Sequence, residues 1–212
     1  MKIQVLVDNP DSWILPYSKQ LILKIHDEFG IKATLLHKHK DVERGDLLFL
    51  LACENIFKKL DYNLINLVIH ESDLPRGKGW SPLTWQVLEG KKKIPITLFE
   101  AVKAVDAGEI YLQDFIELSG HELLAEIKHE QGLKTIDLIL EFIRNKNKIT
   151  GRVQEGESTF YAKRGPKDSR LDIHKSIDEQ FNLLRIVDNE RYPAFFEKNG
   201  QKYIIKIYKD DI

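Results

Sequence analysis

Short apolar runs bounded by turn residues recur along this chain. Helical-spacing patterns fall between them, which predicts alternating strands and helices. Lys2 to Val7 alternate and then run apolar before stopping at the turn cluster Asp8-Asn9-Pro10-Asp11, the expected opening strand. Pro16 to Phe29 carries Leu21, Ile22, Ile25 and Phe29 at helical spacing and closes on Gly30, which suits the left-handed position after a helix. A short strand is expected over Ile31 to Leu36, followed by the polar run His37-Lys38-His39-Lys40-Asp41. Those two histidines have no third ligand nearby and stand among lysines that repel a cation, so the run reads as a solvated loop. Leu47 to Ala52 is a continuous apolar run of the kind buried on both faces of a parallel sheet. It leads into Cys53-Glu54-Asn55-Ile56, where the crevice loop of an open α/β sheet would sit.

The chain is organised around Asn66 to Leu118. Leu64 to Ile69 reads as a buried strand ending at His70, followed by a Pro/Gly loop. The next helix has Ser81 as N-cap, Pro82 at its first position and Gly90 after its last turn. Ile94 to Phe99 and Glu109 to Ile116 read as strands. Ser119 with Glu122 forms a capping-box pattern ahead of a long amphipathic helix to about Asn145, loosened in its middle by Gly132. From Gly151 the texture turns to Gly, Ser, Arg, Lys and Asp. A helix is expected around Ser176 to Arg185, then a hairpin of Ala194 to Glu197 and Lys202 to Tyr208 around Asn199-Gly200. The predicted architecture is α/β: residues 1–150 form a domain with a mostly parallel twisted sheet, and residues 151–212 form a small mixed subdomain with a β-hairpin.

Charge removes some partners. With charged residues at 31% and a formal net charge of −1, no whole-molecule field gathers nucleic acid or an anionic membrane. The single cysteine, Cys53, excludes an internal disulfide and a cysteine-based zinc cluster, and no metal site is expected. The N-terminus lacks signal-peptide grammar and no apolar run reaches the roughly 20 residues of a membrane span, so a soluble cytoplasmic protein is expected.

His70 is placed where a parallel strand gives way to a loop, the usual ligand end of such a sheet, and Asp106 lies in the turn Val105-Asp106-Ala107-Gly108. A carboxylate can orient an imidazole and fix its tautomer, and the imidazole can donate to a developing oxyanion or shuttle a proton. On composition alone, solvated loop-end residues are the better explanation of the pair. The stretch HESDLPRGKGWSPLTWQVLEG, followed by PITLFEAVKAVDAGEIYLQ, resembles the signature of the 10-formyltetrahydrofolate-dependent formyltransferases. The matching positions are His70, Ser72, Leu74, Pro75, Gly79, Pro82, Thr97, Asp106 and Gly108. Gln154-Glu155-Gly156-Glu157 and Arg164 to Asp172 also resemble segments of several members. Three positions depart from the pattern. Val68 replaces an asparagine, Glu109 replaces an aspartate, and Glu71-Ser72-Asp73 is unusually acidic, which would suit recognition of a cationic amine. Asn66 lies about 13 Å from His70 along the strand, too far to stand in for the missing amide; Asn55 is a conceivable replacement.

The resemblance is to the nucleotide-sugar branch in particular, similar to the formyltransferases of pseudaminic acid pathways and related to peptide-synthetase formylation domains. It implies a Rossmann-like formyltransferase domain that uses 10-formyltetrahydrofolate as cosubstrate and a nucleotide-linked amino sugar as acceptor. A UDP-linked 4-amino-4,6-dideoxy N-acetylhexosamine is the implied acceptor. His70 would stabilise the oxyanion of a tetrahedral intermediate, and Asp106 would orient His70 and take the amine proton. The folate is expected between the loop Cys53, Glu54, Asn55, Ile56 and the turn Ala101, Val102, Lys103, Val105. Asn9, Trp13, Ser72, Arg76, Lys78 and Trp80 are candidates for the acceptor, by offering cations and aromatic faces. The tryptophans are more often core or lid packing, and Arg76, which flanks the motif, is the most credible ligand among them. Methionyl-tRNA formyltransferases resemble a longer, more basic design with a C-terminal barrel, so roughly 60 residues after the boundary rank that reading below the sugar one. A glycinamide ribonucleotide formyltransferase suits the tail poorly, and a lapsed folate- or sugar-binding relative is the non-enzymatic alternative. A homodimer through the tail is left open.

Overall fold

The computed structural model describes residues 1–210. A six-stranded sheet carries β1 (Ile3–Leu6), β2 (Thr34–Leu36), β3 (Gly45–Leu50), β4 (Asn63–His70), β6 (Lys93–Glu100) and β7 (Ile110–Glu117) in the order β2-β1-β3-β4-β6-β7. The first four strands are parallel, but β4–β6 and β6–β7 are antiparallel, so the sheet is mixed rather than mostly parallel in its second half. The reason lies in the connections. Helix α1 (Leu15–Phe29) returns the chain the length of the sheet before β2. Between β4 and β6 stand only the two-residue strand β5 (Lys78–Gly79) and the seven-residue helix α2 (Pro82–Leu88), a rise of about 10 Å. That is too short for a crossover, so β6 enters from the end where β4 finished, pairing His70 with Thr97.

Period-two alternation sorts the strand residues onto two buried faces. Val5, Leu47, Phe49, Leu67 and Leu98 pack against Leu21 and Ile25 of α1 and against Ile136, Ile139 and Phe142 of α3 (Leu124–Asn145). Leu6, Leu48 and Leu50 face the other way, under Val42 and Phe57, with Val68 and Ala101 alongside. In the polar run after β2, Lys38, Lys40 and Asp41 are exposed as expected, but the two histidines are tied down. His37 Nδ1–H donates to the Val7 carbonyl at 2.9 Å, and His39 Nε2–H to Asp8 at 3.1 Å.

The predicted helix starts need correction. The Ser119–Glu122 pattern makes a turn, in which the Glu122 carboxylate accepts the Ser119 and Gly120 amides, and α3 begins only at Leu124 with Glu126 accepting the Leu123 amide. Ser81 does precede α2, but in the left-handed region with φ 49° and without a capping bond from its side chain. Gly132 does not loosen α3, which is continuous. A Cβ there would lie 2.5 Å from the Tyr17 ring, so the glycine lets α1 and α3 close on each other. In the tail, α4 is short (Phe181–Arg185). The hairpin of β9 (Ala194–Lys198) and β10 (Gln201–Ile205) turns at Asn199 and Gly200 as expected, both at positive φ. Leu171, Leu184, Val187 and Ala194 form its small core, and Arg185 ties it to the foot of α3 through Glu122 at 3.0 Å.

Replacing glycine by alanine inside a helix ordinarily stabilises by roughly 1 kcal/mol. At Gly132 the sign should reverse, with a loss of about 1–3 kcal/mol from overpacking against Tyr17. Urea unfolding of Gly132→Ala measures it.

Candidate active site

A cavity of about 540 Å³ wraps around the C-terminal ends of β3 and β4. On the loop-covered side of the sheet its walls are Leu50, Val68, Phe99 and the loops holding Cys53, Glu54, Asn55, Ile56 and Ala101, Val102, Val105. On the α3 side they are Trp13, Glu71, Leu83, Lys128, Gln131 and Thr135. His70 and Asp106 line it where it passes the end of β4.

His70 is the last residue of β4, 7% exposed, and faces the same way as Val68. Its Nε2–H donates to the Gly77 carbonyl at 2.9 Å, which fixes the neutral ring as the Nε2–H tautomer with Nδ1 as the acceptor. Asp106 is close but not bonded: its Oδ2 is 3.9 Å from Nε2 and accepts the Gly79 amide at 3.0 Å. The hydrogen bond that orients the imidazole thus comes from a backbone carbonyl, with the Asp106 carboxylate beside the ring.

The backbone around this cavity is strained. Of the four non-glycine residues at positive φ among the described residues, Ala52 (46°), Ser81 (49°) and Asp106 (52°) line it, each conformation costing on the order of 1–3 kcal/mol. Gly108 explains the Asp-x-Gly spacing. A Cβ there would fall 1.9 Å from the Glu100 carbonyl, so only glycine lets the turn fold back and carry Asp106 toward His70. Glu109 is exposed, outside the cavity and beside Gly151.

Other expected positions divide. Cys53, Glu54, Asn55, Ile56, Ala101, Val102, Val105, Trp13 and Trp80 line the cavity, whereas Lys103, Asn9, Ser72, Arg76 and Lys78 do not. Asn9 donates to Glu54 at 2.7 Å and so braces the loop from behind. Asp8 braces it further by accepting the amides of Glu54 and Asn55 and the Asn55 side chain, at 2.8, 2.9 and 3.1 Å. The Asn55 amide is thus committed to Asp8 and does not replace the amide that Val68 lacks. Asn66 is buried and donates to the Leu60 carbonyl at 2.7 Å, away from the site. Ser72 is buried below the loop, Lys78 is buried with its backbone paired to Phe160, and Lys103 is exposed. Arg76 lines a separate hollow of about 420 Å³ with Asp73, Arg152 and Glu155. Burial, and after it the charge of Asp8, pushes the Cys53 thiol up to about 12, so Cys53 is wall and not nucleophile.

The α3 wall was missed in the sequence, although a signal exists. Lys128, Gln131 and Thr135 stand at i, i+3 and i+7, a polar stripe that continues from Leu124 on one helix face and lines the cavity. Gln131 donates to Glu71 at 2.7 Å, and the Lys128 ammonium lies 4.0 Å from the Trp13 ring centre. Among the described residues, no cluster of three histidine, cysteine or acidic side chains could hold a metal ion, and no helix is long and apolar enough to cross a membrane.

No protein-family model matches the chain. Solved structures do resemble it. A methionyl-tRNA formyltransferase from Clostridium thermocellum superposes with a TM-score of 0.82 at 20% identity, covering 100% of this chain and 94% of that one. A 4-N formyltransferase from Francisella tularensis gives 0.74 at 19%, covering 100% and 98%. HypX from Aquifex aeolicus in complex with tetrahydrofolic acid gives 0.76 at 15%, covering 98% of this chain and 37% of that longer one. At these identities the likeness shows a common fold, the mixed α/β architecture of the formyltransferases. The first of these structures also removes the length argument against a methionyl-tRNA formyltransferase, since this chain spans nearly all of it.

Burial is the main cause that lowers Lys128 to about 8 from 10.5; Glu71 and Asp188 offset it in part, and Arg191 adds to it. Below pH 8 the folded protein must keep an ammonium in this wall. Between about 8 and 10.5 the folded form sheds the proton first and the cost is relieved as pH rises. Lys128→Met should therefore be more stable than the parent by roughly 1 kcal/mol at pH 7, with the difference closing toward pH 10.5. Urea titrations across that range read it, and a pH-independent difference would contradict the assignment.

Proposed function

We propose that this protein transfers a formyl group from 10-formyltetrahydrofolate to a primary amine. The observation that carries the reading is the meeting of His70 and Asp106, 3.9 Å apart, at the waist of one cavity with two differently built sides. The loop-covered side fits the donor. Leu50, Val68, Phe99 and Val105 offer flat apolar walls, and the adjoining backbone of Ala101 to Val105 offers amide and carbonyl edges for a pterin. The likeness to HypX, solved with tetrahydrofolic acid, supports the same donor class.

Bound there, 10-formyltetrahydrofolate would supply a formyl carbon open to attack by an amine. The chain's own groups would do the rest. With Nε2–H engaged by Gly77, His70 would donate to a formyl oxygen gathering negative charge through Nδ1–H of its imidazolium form. Asp106 spends Oδ2 on the Gly79 amide and keeps Oδ1 for the proton leaving the amine; that proton would pass on to N10 as the intermediate collapses, the C–N10 bond breaks and tetrahydrofolate leaves. Val68 brings no hydrogen-bond donor, so among the predicted catalytic side chains the developing charge falls to His70. Holding amine and formyl group together in one cavity supplies a further large share of the rate.

Two acceptors are supported by different observations. What favours a methionyl-tRNA acceptor is the extent and closeness of the fold likeness to the Clostridium thermocellum enzyme. What favours a nucleotide-linked amino sugar, including a UDP-4-amino-4,6-dideoxy-N-acetylhexosamine of surface-glycan biosynthesis, is the α3-side lobe itself. Its Trp13 and Lys128 offer a ring face and a cation, Trp80 lines the same cavity, and a sugar N-formyltransferase structure from Shewanella also superposes over the whole chain. Purified protein should formylate one of the two classes when given 10-formyltetrahydrofolate with either charged initiator tRNA or a panel of UDP- and dTDP-linked amino sugars, read by mass spectrometry. His70→Ala and Asp106→Ala should each lower kcat by about 10²–10⁴ without unfolding the chain. Full activity in either would sink the mechanism, and folate binding with no transfer would point to a lapsed relative.

A further inference from the structure

The motif Gln154-Glu155-Gly156-Glu157 lies on a strap that crosses both halves of the site. The strap starts at Arg152, which bridges Ile110 at the start of β7, and ends with β8 (Phe160–Tyr161), which pairs with β5 in the loop after His70. Gln154 Nε2 donates to the carbonyls of Asp106 at 3.1 Å and Gly108 at 2.8 Å, holding the positive-φ turn from behind, while its Oε1 is buried with no partner. At the other end Thr159 Oγ1 accepts the Gly77 amide at 2.8 Å. The Thr159 carbonyl accepts the Lys78 amide at 2.9 Å, and the Tyr161 carbonyl accepts the Trp80 amide at 3.1 Å.

These contacts matter because of what the held backbone holds. Gly77 provides the carbonyl that receives the His70 Nε2–H, and Gly79 provides the amide that Asp106 accepts. Both functional side chains are therefore fixed by backbone groups, and the strap fixes the backbone. A Cβ at Gly79 would lie 2.5 Å from the Tyr161 carbonyl, so loop and strap touch as closely as main chains can. Neither Gln154 nor Thr159 lines the cavity.

We propose that Gln154 and Thr159 are positioning residues that set the His70–Asp106 geometry from outside the cavity, so that residues 1–150 alone leave the site unfinished. The inference rests on the reading of His70 and Asp106 as the working pair. Gln154 acts on the Asp106 turn and Thr159 on the Gly77 carbonyl, and a displacement of about 1 Å at either is enough to cost on the order of 100-fold in rate.

The test uses the full chain with Gln154→Met, which keeps length and removes both donors, Thr159→Val, which removes the acceptor of the Gly77 amide, and Thr159→Ser, which restores it. Gln154→Met and Thr159→Val should lower kcat for formyl transfer by about 10- to 100-fold. KM for either substrate should stay within about twofold, and Thr159→Ser should recover most of the rate. Independently of turnover, imidazole nitrogen NMR, with the His70 signals assigned by their loss in His70→Gln, should show one tautomer in the parent and a mixture in Thr159→Val. If both variants keep the parental kcat and Thr159→Val keeps the parental His70 spectrum, the proposal is overturned. Thr159→Ser as slow and as heat-labile as Thr159→Val would also overturn it, by making the effect one of stability. If the parent transfers no formyl group yet the His70 spectrum changes in Thr159→Val, the positioning stands and the assigned reaction falls.

Discussion

The Gly77–Gly79 backbone sits between a histidine and an aspartate and serves both, giving a carbonyl to one and an amide to the other. That arrangement works only because two glycines stand at positive φ and the second touches the Tyr161 carbonyl where no side chain would fit. The consequence is that the imidazole and the carboxylate need not bond to each other. Each has its orientation set by main chain, which is stiffer than another side chain.

The sheet's change of direction makes this possible. A full crossover helix after β4 would have carried the chain to the far end of the sheet. The short α2 keeps it at the ligand end, and the antiparallel β6–β7 pair then brings the turn containing Asp106 back against β4. The same economy shapes the cavity, which has the short loops of β3 and β6 on one side and the long helix α3 on the other. Strain gathers along it at Ala52, Ser81 and Asp106, and the braces behind it, Asp8 for one loop and Gln154 for another, supply the hydrogen bonds that hold such conformations in place.

The two sides of the cavity are built differently. One is an apolar slot between two backbone loops. The α3 side is polar, with a cation over an indole and a carboxylate held by Gln131. Val68 removes one amide from the junction, and no neighbouring side chain replaces it, since Asn55 serves Asp8 and Asn66 serves Leu60.

The amino-acid sequence by itself determined the six strands of the main sheet, their order along the chain, the glycine turn of the hairpin and the nearness of His70 to Asp106, because these depend on local periodicity, on turn chemistry and on a motif of fixed spacing. It also marked the two loops of the apolar slot, which follow directly from strand ends. Only the tertiary structure decided the direction of β6, the role of Gly132 against Tyr17, and the exclusion of Asn9, Lys78 and Arg76 from the cavity. It alone brought Lys128 to the wall and laid Gln154 and Thr159 behind the site, 84 and 89 residues along the chain from His70. Those contacts join segments far apart in sequence, and their geometry is set by how whole elements pack, which no pattern of neighbouring residues encodes.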